Sequence, residues 1–185
     1  NFKHVDKDTF LMLYKSMVRS QLEYANSVWN PHNIGLTEEL EKVQKRATKI
    51  LPALKKLSYT DRLKRCGLPT LKYRRARGDM IETYKILTEK YDVSVAPTLA
   101  LNEYRLTRGN DLKLDVINSR YDLRKHFFTR RVSALWNSLP NGVILADSTN
   151  LFKNKLDKFW QKQELILNYK SEIAGIGNRS SSTIV

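Results

Sequence analysis

Residues 36–52 read Leu36-Thr37-Glu38-Glu39-Leu40-Glu41-Lys42-Val43-Gln44-Lys45-Arg46-Ala47-Thr48-Lys49-Ile50-Leu51-Pro52. Leu36, Leu40, Val43, Ala47 and Ile50 recur in alternating steps of four and three, the spacing of one helical face. Thr37, Glu38 and Glu39 supply a cap residue and acids that suit the free N–H groups of a helix start. Pro52 ends the pattern, because it lacks an N–H and its ring clashes with the preceding turn. The stretch predicts a helix over 37–51. With Leu40 at the origin and ~100° per residue, Lys42, Lys45, Arg46 and Lys49 fall at roughly 200°, 140°, 240° and 180°, while the apolar set centres at about 320°. The expected arrangement is an apolar face in a core and a basic face outside.

Similar patterns lie on both sides. Phe10, Leu13, Tyr14, Met17, Val18 and Leu22 form an amphipathic stripe, with Asp6 or Asp8 as its cap. Asn30-Pro31-His32-Asn33 reads as a turn. Ser58 caps a short helix that Gly67 stops, and Thr70 starts a longer one through about Lys90, with Leu71, Met80, Ile81, Tyr84 and Leu87 inward. Residues 92–123 carry Pro97 and mixed small residues and read as an irregular linker. Within it, Arg105-Leu106-Thr107 and Leu112-Lys113-Leu114-Asp115-Val116 could pair as a short β-hairpin across residues 108–111. Phe127, Phe128, Val132, Leu135 and Leu139 fit another helical face up to Pro140. Ser148 then caps a last helix carrying Leu151 or Phe152, Leu156, Phe159, Trp160 and Leu167. The expected fold class is mainly α. A basic helical bundle occupies 1–91, the linker 92–123, a helical pair 124–170, and a disordered Gly/Ser-bearing tail 171–185. Trp29, Trp136 and Trp160 are the expected core anchors.

Charge separates function classes. The chain of 185 residues holds 33 Lys plus Arg against 19 Asp plus Glu, a net of +14 that favours a polyanionic partner. Between Lys42 and Arg77 stand Lys42, Lys45, Arg46, Lys49, Lys55, Lys56, Arg62, Lys64, Arg65, Lys72, Arg74, Arg75 and Arg77. Asp61 is the only acid in that span, which leaves +12 in 36 residues. A solvated surface ordinarily mixes signs because like charges repel, so this run asks for a partner. Membrane-surface helices set Trp or Phe beside their bases, and the 37–51 helix has no aromatic. Nucleic acid suits the run better, since cations repeated over several helices can follow successive phosphates and release counterions. Tyr59 and Tyr73 could stack on bases, although packing is the commoner use of such residues.

Chemistry is poorly served. A single cysteine, Cys66, makes no internal disulfide and no CxxC zinc site. His4, His32 and His126 are scattered. Paired carboxylates in an apolar run, as two-metal polymerases and nucleases need, are missing. So are a Gly-rich phosphate loop and a Gly-x-Ser-x-Gly elbow. No catalytic residue, metal, cofactor or small-molecule ligand is expected, and no membrane span. An intracellular site, nucleus or cytoplasm, is expected from cysteine usage. The start at Asn1-Phe2-Lys3, without Met, suggests a piece of something longer.

Several segments in series resemble a known family. They are Leu11-Met12-Leu13-Tyr14-Lys15-Ser16-Met17-Val18-Arg19, Leu22-Glu23-Tyr24-Ala25-Asn26-Ser27-Val28-Trp29-Asn30-Pro31 and Leu40-Glu41-Lys42-Val43-Gln44-Lys45-Arg46-Ala47-Thr48-Lys49. Further on come Leu57-Ser58-Tyr59-Thr60-Asp61-Arg62-Leu63, Gly67-Leu68-Pro69-Thr70-Leu71, Tyr73-Arg74-Arg75 and Arg77-Gly78-Asp79-Met80. Arg131-Val132-Ser133-Ala134-Leu135-Trp136-Asn137-Ser138-Leu139-Pro140 and Phe152-Lys153-Asn154-Lys155-Leu156-Asp157-Lys158-Phe159-Trp160 close the series. It is similar to the C-terminal region of reverse transcriptases from non-LTR retrotransposons (LINE-type, jockey/CR1-like), over about residues 5–160. The resemblance implies a polymerase-thumb-like bundle that packs beside an upstream palm and holds template–primer duplex. The palm's Tyr/Phe-Ala-Asp-Asp motif is not in this sequence, nor is the Cys/His zinc knuckle that ends some relatives.

The leading expectation is a non-catalytic, nucleic-acid-binding fragment of an RNA-directed DNA polymerase. It would grip RNA or RNA–DNA backbone through Lys42, Lys45, Arg46, Lys49, Lys55, Lys56, Arg62, Arg65, Lys72, Arg74, Arg75 and Arg77. Two other readings fit the same charge: a helical module for an acidic protein partner, and a decayed retroelement remnant without function.

Overall fold

The structure is a computed structural model describing residues 6–102, 111–116 and 119–176, with main chain alone at 122 and 123. The described chain is mainly helical. It divides into two compact units that interleave in sequence: Asn1–Ala76 with Glu164–Glu172, and Arg77–Gln163 with Ile173–Val185. The division falls inside a helix. None of the described helices is long and apolar enough to cross a membrane.

The first unit opens with α1 (Lys7–Leu13), which continues through a π-helical turn, Tyr14–Arg19, into α2 (Ser20–Glu23). Asp6 caps it, its carboxylate accepting from the amides of Asp8 and Thr9 at 3.1 Å. Phe10 and Tyr14 enter the core as the stripe predicts, but Met17 stays exposed. The wider π turn, with about one extra residue per turn, rotates the next residues away from the α-helical register.

α3 spans Ile34–Ala47, starting three residues and ending four residues earlier than the expected 37–51. Asn33 is the cap, its side-chain oxygen accepting from Gly35 N at 2.8 Å. A 3-10 turn at Pro52–Leu54 leads to α4, Tyr59–Cys66. Here the capping signals hold. Ser58 Oγ accepts from Asp61 N (3.2 Å), and Gly67, at φ +61°, ends the helix. The Leu68 amide reaches back to Leu63 O and the Gly67 amide to Lys64 O, the paired bonds of a left-handed C-cap. α5 (Leu71–Leu87) starts at Thr70, whose hydroxyl accepts from Tyr73 N at 3.2 Å. The apolar core of this unit gathers Phe10, Tyr14, Leu51, Leu54, Leu63, Cys66 and Leu68, with Leu167 from the returning segment against it. That segment is fastened by main chain. Thr70 N donates to Ile166 O (2.9 Å) and Thr70 Oγ1 to Leu165 O (2.6 Å).

The second unit holds the later turns of α5, then α6 (Asp122–Lys125), α7 (Phe128–Asn137), α8 (Asn141–Ile144) and α9 (Thr149–Trp160). Ser148 caps α9 as expected, accepting from Leu151 N at 3.2 Å. Its centre is aromatic: Tyr84 stacks on Phe152 at 4.4 Å between centroids, and Trp136 lies 5.9 Å from Phe152. Trp136 and Trp160 are fully buried, whereas Trp29, in the first unit, is 40% exposed.

The stretch read as a linker is packed where it is described, with Leu99 and Leu114 buried. Most of the expected hairpin lies outside the described residues. Leu114 pairs with Leu101 in an isolated antiparallel bridge. Asn137 replaces a neighbouring strand, accepting from Leu114 N at 2.9 Å and donating to Leu114 O at 2.7 Å. The segment 171–185 does not begin as a free tail. Ile173 is buried and Ala174 exchanges two hydrogen bonds with Gln163; residues 177–185 lie outside the described set.

Candidate nucleic-acid interface

The face that α3 turns inward is polar. Thr37, Glu41, Gln44 and Thr48 are buried, with Glu41 at 0% and Gln44 at 1% exposure. The row Leu36, Val43 and Ile50, read as the core face, is instead 57%, 36% and 63% exposed. Relative to the apolar row, the buried row is rotated by roughly 110°.

The inward row is affordable because every group in it is answered. Tyr14 OH donates to Gln44 Oε1 (2.6 Å), and Gln44 Nε2 donates to Tyr59 OH (2.9 Å) and Pro69 O (3.0 Å). Tyr59 OH donates to Glu41 Oε2 (2.6 Å), and Glu41 Oε1 accepts the Lys72 amide (3.1 Å) at the N-terminus of α5, where a helix favours negative charge. Burial pushes the Glu41 carboxyl above its ordinary range, more strongly than these hydrogen bonds draw it down. Burial and the adjacent Glu41 charge drive the Tyr14 and Tyr59 hydroxyls well above theirs. Tyr59 and Tyr73 are thus packing residues in this structure, Tyr73 being buried.

Around this centre the basic run splits into three groups. The first is built into the fold. Arg62 is buried, donating from Nε to Thr48 Oγ1 (3.0 Å), from one terminal nitrogen to Leu57 O (2.6 Å) and from the other to Lys45 O (3.4 Å). Arg75 is also buried. It donates to Leu22 O (2.8 Å), reaches Trp29 O and the side chains of Asn26 and Asn30 at 3.4 Å, and lies 4.2 Å over the Trp29 ring. Arg74 forms a two-pronged pair with Glu23 (2.7 and 2.6 Å). In the second unit Arg77 does the same with Asp157 (2.5 and 2.7 Å). These four guanidinium groups are turned to protein acceptors.

Three lysines form a second group, each with a partner but nearer the surface. Lys45 donates to Tyr169 OH (2.9 Å), with Glu38 at 3.8 Å and the Tyr169 ring centroid at 4.3 Å. Lys72 donates to Ser171 O (3.0 Å) and pairs with Glu172 at 2.5 Å. Lys42 pairs with Glu39 along α3.

The third group is exposed: Arg46 and Lys49 at the end of α3, Lys55 and Lys56 after the 3-10 turn, and Lys64 and Arg65 in the last turn of α4. No ion pair is formed by any of the six among the described residues. Arg62 pins the three segments that carry them to one another, through Thr48, Leu57 and its own helix. Asp61, the run's single acid, is taken by Ser58, whose hydroxyl donates to it at 2.6 Å. Lys64 joins the sequence-derived set here. Its signal was present, since it neighbours the buried Leu63 and stands between Arg62 and Arg65.

Among the described residues no three His, Cys, Asp or Glu side chains group as metal ligands. Cys66 is buried, which raises its thiol above the ordinary range and leaves it a core residue. No protein-family model, curated protein or solved structure matches the chain.

Proposed function

We propose that this chain is a non-catalytic nucleic-acid-binding part of an RNA-directed DNA polymerase. Its first unit grips duplex backbone through Arg46, Lys49, Lys55, Lys56, Lys64 and Arg65. The observation that carries the reading is the sorting of the basic run. Arginines that the fold needs are buried on protein acceptors, yet six cations stay exposed on segments fixed by Arg62. A cluster of like charge that forms no ion pair among the described residues is stabilised by a polyanion. The polymerase assignment rests on the resemblance of the ordered segments, and with it come the thumb-like role and an upstream palm as partner.

Salt dependence of duplex binding tests this. Replacing Arg46, Lys49, Lys55 and Lys56 with Ala should flatten the slope of log K against log salt by about 0.9 per lost phosphate contact on B-form DNA. Neutralising Lys158 and Lys162, exposed in the second unit, serves as the control. Equal slopes for the two variants would remove the assignment of this face. An acidic polypeptide that displaces duplex at equal charge concentration would favour the acidic-protein reading.

A further inference from the structure

The exposed row of α3 has its own logic, independent of the nucleic-acid reading. Leu36, Leu40, Val43, Ala47 and Ile50 follow the 3.5-residue period of a helix–helix seam. Leu36 and Val43 are exposed on α3 and Ile50 is exposed just beyond its end; Leu40 is half-buried, and Ala47 is half-buried against the unit's own apolar core. Single exposed leucines are ordinary, but an aligned row along one helix marks a contact surface. α3 does not need Leu36 or Val43 for its own packing, because Thr37, Glu41, Gln44 and Thr48 already hold it. We propose that the seam is covered by the same seam of a second copy of this chain, with the two α3 helices antiparallel and the two-fold axis near Val43.

Charge argues for that occupant. On the edge of the seam away from the buried row stand Glu39 and Arg46, placed nearly symmetrically about Val43. Antiparallel pairing about Val43 brings the two Val43 side chains together and sets Leu36 toward the end of the other copy's α3. It also brings Glu39 beside Arg46 of the other copy, twice by symmetry. Parallel pairing would place Glu39 and Arg46 toward positions 44 and 51, where Gln44 and Leu51 are buried in their own unit and offer no charge. The Glu39–Lys42 pair is surface-exposed and exchanges at little cost. α3 has 14 residues, a length of about 21 Å. A contact that short lies at or below the low end, ~1,200 Å², of specific interfaces, so the dimer is a weak one that forms with concentration.

The experiment is sedimentation equilibrium of the whole chain, without nucleic acid, from micromolar to millimolar protein. A monomer–dimer equilibrium is expected. Glu39→Arg or Arg46→Glu alone should weaken it by roughly tenfold, two exposed pairs being lost at once, and the double exchange should restore it. Val43→Glu should abolish the dimer with helix content unchanged by circular dichroism, because Val43 is at the surface. Val43→Cys should be joined to its counterpart by a short bismaleimide, while the native chain, with Cys66 buried, should not. A monomer throughout the series, a double exchange no better than the singles, or no Val43→Cys cross-link would each overturn the proposal. Arg46 also belongs to the proposed nucleic-acid face. The restored double variant, read without nucleic acid, separates the two roles.

Discussion

Glu41 is a carboxyl group with no exposed surface, held by the Tyr59 hydroxyl and by amides at the start of α5. Burial raises its pKa above the ordinary 4.5, so the folded chain keeps this proton at pH values where the unfolded chain has lost it. Stability from this group is therefore full below the unfolded value and declines as pH rises through the folded one. Glu41→Gln removes that decline. In urea titrations from about pH 4 to pH 7, the stability of the variant relative to the native chain should rise with pH. A difference that stays flat would show that Glu41 titrates in the fold as it does in the unfolded chain.

The same residue shows why the sequence misled about α3. Apolar spacing marks a face that can be buried but does not say that another face cannot be. Polar side chains enter a core when each finds a partner. The partners of Glu41 and Gln44 are Tyr14, Tyr59, Pro69 and Lys72, which lie 15 to 31 residues away. No local rule reports pairs at that separation.

Among elements, boundaries were the readable part. Ser58, Gly67, Thr70 and Ser148 cap or stop helices as their residue types dictate, because caps are local chemistry. Junctions between elements were not readable, and Arg75 is the clearest case. Its guanidinium joins α5 to the end of α2 and to the 24–30 connection, and it lies over the Trp29 ring. Counted as a backbone-binding cation, it is a brace. Arg75→Ala should cost about 3 kcal/mol in denaturant unfolding, since several acceptors lose a buried charged donor together. Arg75→Lys should recover little of that loss, because an ammonium cannot reach several carbonyls and also stack on the indole. A Lys variant as stable as the native chain would mean that only the charge matters.

In the whole molecule the sequence order and the compact order differ. A linear reading divides the chain at 91 and again near 123, yet residues 164–172 belong with the first unit. Composition carries no trace of this, because the ties are bonds from Thr70 to the carbonyls of Leu165 and Ile166 and side-chain contacts of Tyr169 with Lys45 and Glu38. A chain ending at residue 163 should lose protection from hydrogen exchange at the Thr70 amide and along the buried row of α3. Unchanged exchange there would show that the returning segment only decorates the unit.

That returning segment also sets an order of events during synthesis. The first seventy-six residues leave the ribosome well before residues 164–172, which complete their packing, have been translated. Through that interval Lys45 and Thr70 lack their distant acceptors, and the six exposed cations travel on an unfinished fold beside ribosomal RNA. A nascent chain of this kind gains from a pause or a chaperone acting as residues 164–172 emerge, and gains little from one acting before them.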